Sequence, residues 1–134
     1  MEYLIGVVLA TAVCAFAILT GFDRDRVFYP TLLIVIASYY ILFAVMGGSV
    51  HTLLIESLVT GSFLAVAVVG FKTNLWLVAF ALAGHAVFDF FHHMFIENPG
   101  VPAWWPGFCL GFDMIASGFL AVLVIRRSNF SRSL

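Results

Sequence analysis

The chain has 134 residues, of which 63% are hydrophobic and only 10% are charged, and its formal net charge at pH 7 is −1. A soluble domain of this length could not bury so much apolar surface, so a soluble globular protein is excluded. No excess of positive charge exists to attract a nucleic acid. We therefore expect an integral membrane protein that folds as one helical domain.

Five hydrophobic stretches each come close to the ~20 residues that an α-helix needs to cross a bilayer. The connections at residues 21–26, 47–49 and 72–74 are short, so consecutive helices should be antiparallel neighbours. The pattern predicts an all-α membrane protein, a single bundle of five transmembrane helices. The predicted spans are residues 3–20, 27–46, 50–71, 75–95 and 106–125.

The positive charges indicate an orientation for this bundle. When the five spans are drawn, every lysine and arginine falls on the same side of the membrane. Because such a bias marks the cytoplasmic side, the N-terminus is predicted outside and the C-terminus in the cytoplasm. We expect a multi-pass protein of a plasma or inner membrane. The six cations are Arg24, Arg26, Lys72, Arg126, Arg127 and Arg132.

The connection at residues 97–106, before the last span, differs from the others. It contains three prolines and a glycine, which are incompatible with a helix, while Trp104 and Trp105 suit the headgroup region of a membrane. We predict a structured loop that lies on the outer interface. Two interpretations are open: an ordinary aromatic anchor, or a cap over a site beneath the loop.

The fourth span carries ionisable residues on one helical face. An ionisable group at the centre of a membrane helix costs roughly 2.5–3.5 kcal/mol on insertion scales. His85, Asp89 and His92 stand at positions i, i+4 and i+7, which places them above one another, and His93 is the next residue on that face. Because it is costly to place these groups inside a membrane, we expect them to have a function or to be paired with specific polar side chains of other spans.

Two neighbouring spans offer those partners. Glu56 in the third span and Asp113 in the fifth each lie on a narrow polar stripe of small hydroxyl or thiol residues. At 1.5 Å per residue, Glu56 and Asp89 lie ~9 Å below the outer end of their helices, and Asp113 lies ~10 Å below. We therefore predict that the three acids converge in one layer in the outer half of the membrane.

Three carboxylates cannot all be ionised in such a layer unless protons or a metal ion neutralise them. Mixed histidine nitrogens and carboxylate oxygens favour zinc, iron or manganese over magnesium or calcium. A hydrogen-bonded packing network and a proton relay without metal are alternatives. The spans contain no lysine, which excludes a retinal Schiff base. The candidate metal ligands are His85, Asp89, His92, His93 and Asp113, and the candidate catalytic residue is Glu56.

One recognisable pattern covers about the last two spans and their loop. It resembles that of a family of small, uncharacterised multi-span membrane proteins, a domain of unknown function. The resemblance implies no activity, but it suggests that the loop and the site belong together. The pattern comprises Gly84-His85, Asp89, His92-His93, then Val101-Pro-Ala-Trp-Trp-Pro106, Phe108-Cys109 and Asp113.

Two better-known groups are similar in part. The membrane hydrolases that include alkaline ceramidases and adiponectin receptors bind zinc with histidines and an acid near one leaflet, although they have seven spans. Membrane di-iron desaturases carry His-x-x-His-His, to which Asp89-x-x-His92-His93 is similar, although their sites use more histidines than this chain has. Both likenesses concern ligand chemistry, and the first implies hydrolysis.

Our leading hypothesis is a metal-dependent membrane hydrolase that acts on a lipid or a small apolar molecule. Glu56 would serve as the general base. The alternative is a non-enzymatic module, either a cation or proton conduit or a subunit whose polar residues bind helices together. Residues 75–84 contain no ionisable group, which favours a blind pocket over a conduit. In the enzyme hypothesis the ion would be held by His85, Asp89, Asp113 and one of His92 or His93. Membrane lipids are expected partners under either hypothesis. A homo-oligomer fits both.

Overall fold

The computed structural model describes residues 1–132, and of Arg132 only the main chain. Within that range the chain is all-helical and contains no β-strand. The described residues form five α-helices that are long and apolar enough to cross a membrane, which confirms the predicted number. Their bounds are α1 Glu2–Thr20, α2 Phe28–Gly47, α3 Val50–Lys72, α4 Leu75–Phe95 and α5 Trp105–Arg132, with a 3₁₀ turn at Phe22–Arg24.

Local sequence signals determine where the helices begin and end. α1 and α2 end at Gly21 and Gly48, whose φ angles of 82° and 72° lie in the left-handed region that favours glycine. α3 and α4 begin after Ser49 and Asn74, whose side chains each accept a hydrogen bond from an amide in the first turn. The helix α5 continues beyond its predicted span to Arg132. Polar residues at this end can reach water without ending the helix.

Helix α1 packs along α5 through a stripe of small residues. Gly6, Ala10, Cys14 and Ala17 recur every three or four positions and are all buried. Gly6 approaches α5 so closely that a Cβ atom would collide with the carbonyl oxygen of Phe108. Apolar surface gains nothing by leaving lipid, so such close contact between small residues holds the two helices together.

Helix α4 occupies the centre of the bundle. It packs against α5, α3 and α2, and α2 packs in turn on α3. Helices α1 and α2 are different, because no Cα atom of one lies within 8 Å of a Cα atom of the other in the described chain. Helices α1 and α2 meet through side chains instead, with the thiol of Cys14 beside the hydroxyl of Tyr29.

Two arginines join the connections at one end of the bundle. The Arg26 guanidinium donates to the carbonyl oxygen of Phe71, and the Arg127 guanidinium donates to two carbonyl oxygens of the 3₁₀ turn. These bonds satisfy carbonyl groups that lack a partner within a helix. The side chain of Arg132 lies outside the described residues. The cations at positions 24, 26, 72, 126 and 127 thus share one end of the bundle.

Candidate functional site

Polar residues from three helices face the interior of the bundle. Each polar stripe has hydroxyl groups that bond to a neighbouring element: Thr60 donates to a carbonyl oxygen of α2, Thr52 to the loop after α4, and Ser117 to α4. These bonds fix the rotation of the helices and so place the acids between them. The buried ionisable residues in this region are Glu56, His85, Asp89, His92 and Asp113, each at most 2% exposed.

His85, Asp89 and Asp113 form one group, which we call the triad. The Nδ1 atom of His85 lies 2.7 Å from Oδ2 of Asp113 and 3.1 Å from Oδ2 of Asp89. Each of the three residues offers a ligand atom, and these atoms all lie within 4.8 Å of one another. Neither oxygen of Asp89, nor Oδ1 of Asp113, has a well-formed hydrogen bond among the described residues. The two carboxylates therefore share one imidazole, and the other polar groups beside Asp89 are the hydroxyl of Tyr40 and the thiol of Cys109.

Glu56 and His92 form a second group, the dyad. Nε2 of His92 lies 2.7 Å from Oε1 of Glu56, and the side-chain amide of Asn98 donates to the same oxygen at 2.9 Å. The other oxygen, Oε2, has no partner in the described part of the chain. Glu56 is fully buried, and the structure pairs it with His92 and not with the triad.

Tyr40 lies between the triad and the dyad. Its ring stacks on His92 with 4.3 Å between ring centroids, and its centroid lies 6.2 Å from that of His85. Its buried hydroxyl lies beside Asp89. Tyr40 therefore makes the two groups one continuous polar region. Sequence reasoning missed this residue, although a hydroxyl on the buried stripe of α2 was a usable signal.

The loop after α4 closes the dyad on one side. Asn98 donates to the Tyr40 carbonyl oxygen as well as to Glu56, and Thr52 donates to the Glu97 carbonyl oxygen. Gly100 lies against the end of α2, where a Cβ atom would collide with a main-chain carbonyl group. The loop is thus folded onto the site, as the cap interpretation requires. Asn98 was missed because a loop asparagine carries no signal in sequence.

A cavity of about 420 Å³ lies between the loop and the end of α4. His92 and His93 line it from the helix, while Asn98 and several prolines line it from the loop. His93 is exposed and belongs to neither the triad nor the dyad. The 100° rotation between consecutive helical residues explains why His92 is buried while His93 is not.

Trp104 and Trp105 follow the loop and differ in exposure. Trp105 is 9% exposed and packs against the rings of Tyr39 and Phe43, with centroids 4.9 Å from each. Trp104 is 52% exposed. Of the two rings, that of Trp104 is therefore the one free to lie at the membrane interface.

Charge balance distinguishes the triad from the dyad. The dyad has one carboxylate and one imidazole, so its net charge is zero with a protonated ring and −1 with a neutral ring. The triad has two carboxylates and one imidazole, so its net charge is −1 with a protonated ring and −2 with a neutral ring. One divalent cation beside a neutral ring brings the triad to zero, which a buried site requires. The donor set of the triad therefore fits a divalent metal ion.

Comparisons with known proteins assign no relative to this chain. No protein-family model, no curated protein and no solved structure matches it.

Proposed function

We propose that this multi-pass membrane protein binds one divalent metal ion at the triad and uses it in hydrolytic chemistry on a lipid or small apolar molecule. The observation that carries the proposal is the pair of buried carboxylates, Asp89 and Asp113, that share the one imidazole of His85, with a ligand atom of each residue within 4.8 Å of the others. An unpaired buried carboxylate is costly, and a cation is the partner that removes this cost.

The number of ligands supports a catalytic ion. Three protein ligands leave a coordination position open, as in catalytic zinc sites, whereas structural zinc sites are closed by four protein ligands. Zinc, iron and manganese all suit one imidazole and two carboxylates. His92 is held by Glu56, and His93 is exposed, so neither histidine completes the triad in this arrangement. A bound ion would supply Lewis acidity to a carbonyl group and to water.

The dyad supplies a base. Oε1 of Glu56 is held by His92 and Asn98, while Oε2 is free of hydrogen bonds to described residues. Oε2 can accept a proton from water, and the imidazole of His92 can carry the positive charge that the pair then holds. The cavity beneath the loop is lined by His92 and Asn98, so it offers a polar approach to the dyad.

Elemental analysis of the purified protein tests the metal site. We expect one ion per chain in the wild type, loss of the ion in Asp89→Asn, and retention in His93→Gln, which is the matched control. Glu56→Gln should keep the ion and abolish release of products from ester lipids. Equal metal content in wild type and Asp89→Asn, or none in either, would contradict the proposal.

A structural polar network is the second candidate. The observation that favours it is the position of Nδ1 of His85, which lies within 3.1 Å of both carboxylates, as a shared hydrogen bond requires. Under this candidate Asp89→Asn preserves the hydrogen bonds and has almost no effect on stability. A conduit is disfavoured, since the buried residues of α4 and α5 towards the cation end are apolar: Leu75, Val78, Leu82 and Leu120.

The orientation of the bundle is part of the same proposal. The cations at one end support a cytoplasmic position for that end, with the N-terminus and the loop outside. A reporter fused to the C-terminus should be cytoplasmic, and Asn98→Cys should be labelled from outside. Labelling of Asn98→Cys from the cytoplasmic side alone would overturn this topology.

Membership of the small multi-span family described above is likewise proposed, and the contacts between loop and site support it.

A further inference from the structure

Tyr40 reaches from α2 to both polar groups of the site. It is only 2% exposed, so its phenol ring lies wholly inside the bundle. The ring stacks on the imidazole of His92, with 4.3 Å between the centroids and 26° between the ring planes. Its hydroxyl group lies beside the carboxylate of Asp89. The two ends of one side chain therefore face the dyad and the triad.

Neighbouring rings hold this phenol ring in one position. Besides His92, the rings of Phe43 and Phe88 meet it edge-on, and each has its centroid 6.2 Å from that of Tyr40. A buried side chain that is packed against three rings keeps its rotamer. The hydroxyl of Tyr40 is therefore presented to Asp89 in a fixed direction.

The main chain of α2 is fixed at the same level of the bundle. Thr60 of α3 donates a hydrogen bond to the carbonyl oxygen of Ala37 at 3.0 Å, and Asn98 of the loop donates to that of Tyr40 at 3.3 Å. Positions 37 and 40 lie about one turn apart on the same face of the helix. The rotation of α2 that directs Tyr40 towards Asp89 is thus set by contacts with two other elements.

The chemistry of metal ligands gives such a hydroxyl a use. Ligating carboxylates in metal sites accept hydrogen bonds from outer partners, which orient them towards the ion. Beside Asp89 lie the hydroxyl of Tyr40 and the thiol of Cys109. A thiol is a weak donor, whereas a hydroxyl hydrogen rotates to suit its acceptor. Of these two groups, the hydroxyl of Tyr40 is therefore the better one to orient Asp89.

We propose that the hydroxyl of Tyr40 donates a hydrogen bond to the carboxylate of Asp89 and so orients this acid as a metal ligand. This role rests on the proposed metal site and adds to it a positioning residue from α2, a helix that supplies no ligand. Because the hydroxyl faces the triad while the ring packs on His92, the two parts of the side chain act on different groups. Removal of the hydroxyl alone should therefore weaken metal binding and leave the packing on His92 intact.

Zinc titrations of the purified protein, in competition with a chromogenic chelator, test this role. Tyr40→Phe should bind zinc about 10- to 100-fold more weakly than the wild type, which is the loss typical of an outer partner of a ligand. Tyr39→Phe is the matched control, because Tyr39 is 39% exposed and its ring packs on Trp105. This control should bind zinc as the wild type does. If Tyr40 acted through packing alone, Tyr40→Phe would keep its ring on His92 and would also bind zinc normally.

Infrared difference spectroscopy of the metal-free protein examines the hydrogen bond itself. The carboxyl bands of Asp89 are those that Asp89→Asn removes, and they should shift in Tyr40→Phe but not in Tyr39→Phe. Helical circular dichroism checks that each variant is folded. Unshifted bands, or equal zinc affinity of Tyr40→Phe and a zinc-binding wild type, would overturn the role of Tyr40 alone. A wild type that binds no zinc would overturn the proposed metal site, and the role of Tyr40 with it.

Discussion

The triad and the dyad are built from the same residue types and are equally buried, yet their hydrogen bonding differs. In the dyad one carboxylate, that of Glu56, receives His92 and Asn98 on a single oxygen. In the triad two carboxylates share one imidazole, His85, and three of their oxygens lack a well-formed hydrogen bond to the described residues. The ratio of carboxylates to imidazoles, two to one in the triad and one to one in the dyad, therefore distinguishes the candidate metal site from the dyad.

Substitution of the histidines should give the largest difference in stability between the triad and the dyad. With chelator present, His85→Ala leaves two buried carboxylates without a cation, and we expect a loss of about 3–5 kcal/mol in the free energy of unfolding. His92→Ala should cost about 1–3 kcal/mol, because Asn98 still donates to Glu56. Unfolding in mixed detergent micelles, followed by circular dichroism, measures both values. Equal losses would show that the triad depends on its imidazole no more than the dyad does.

Addition of metal should stabilise the protein through the triad alone. At a zinc concentration of about 100 times the Kd, the wild type should gain about 2.7 kcal/mol in the free energy of unfolding. Glu56→Gln should gain as much, since its side chain belongs to the dyad. Asp89→Asn should gain nothing. A gain that disappears in Glu56→Gln but persists in Asp89→Asn would assign the ion to the dyad.

Removal of Asn98 should weaken the dyad and release the loop. Asn98→Ala takes away a hydrogen bond to a charged group, and we expect a loss of about 1.5 kcal/mol. Amides of the loop should then exchange hydrogen faster, whereas those around the triad should not. Glu97→Gln is the control, because the Glu97 side chain is exposed and only its main-chain carbonyl group is bonded. Unchanged exchange in Asn98→Ala would mean that the loop is held without this contact.

The smallest effect is expected at His93. His93→Gln should change the free energy of unfolding by less than about 0.5 kcal/mol, because the side chain is exposed and contacts neither group. Elemental analysis should find the ion retained. Loss of metal in this variant would restore His93 to the set of ligands and require the end of α4 to rotate.

Much of the site could be predicted because helix geometry is regular. Hydropathy placed the five helices, and the spacing of His85, Asp89 and His92 placed those side chains on a buried face. The periodicity did not separate His93 from its neighbour, because a residue one position further lies at the margin of the same face. The hydrogen bond between the loop residue Asn98 and Glu56 could not be predicted, since no periodicity governs an irregular loop.

The sequence by itself determined the number of helices, the end at which the described cations gather and the positions of the buried acids along their helices. These properties follow from length, hydropathy and the fixed rise of an α-helix, all of which are local. Only the tertiary structure decided that Glu56 pairs with His92, that Tyr40 joins the two groups, and that α1 packs closely on α5. Those contacts depend on the rotation and lateral position of each helix. Both are set by small residues such as Gly6 and by hydroxyl bonds between helices, which act only once the helices are packed.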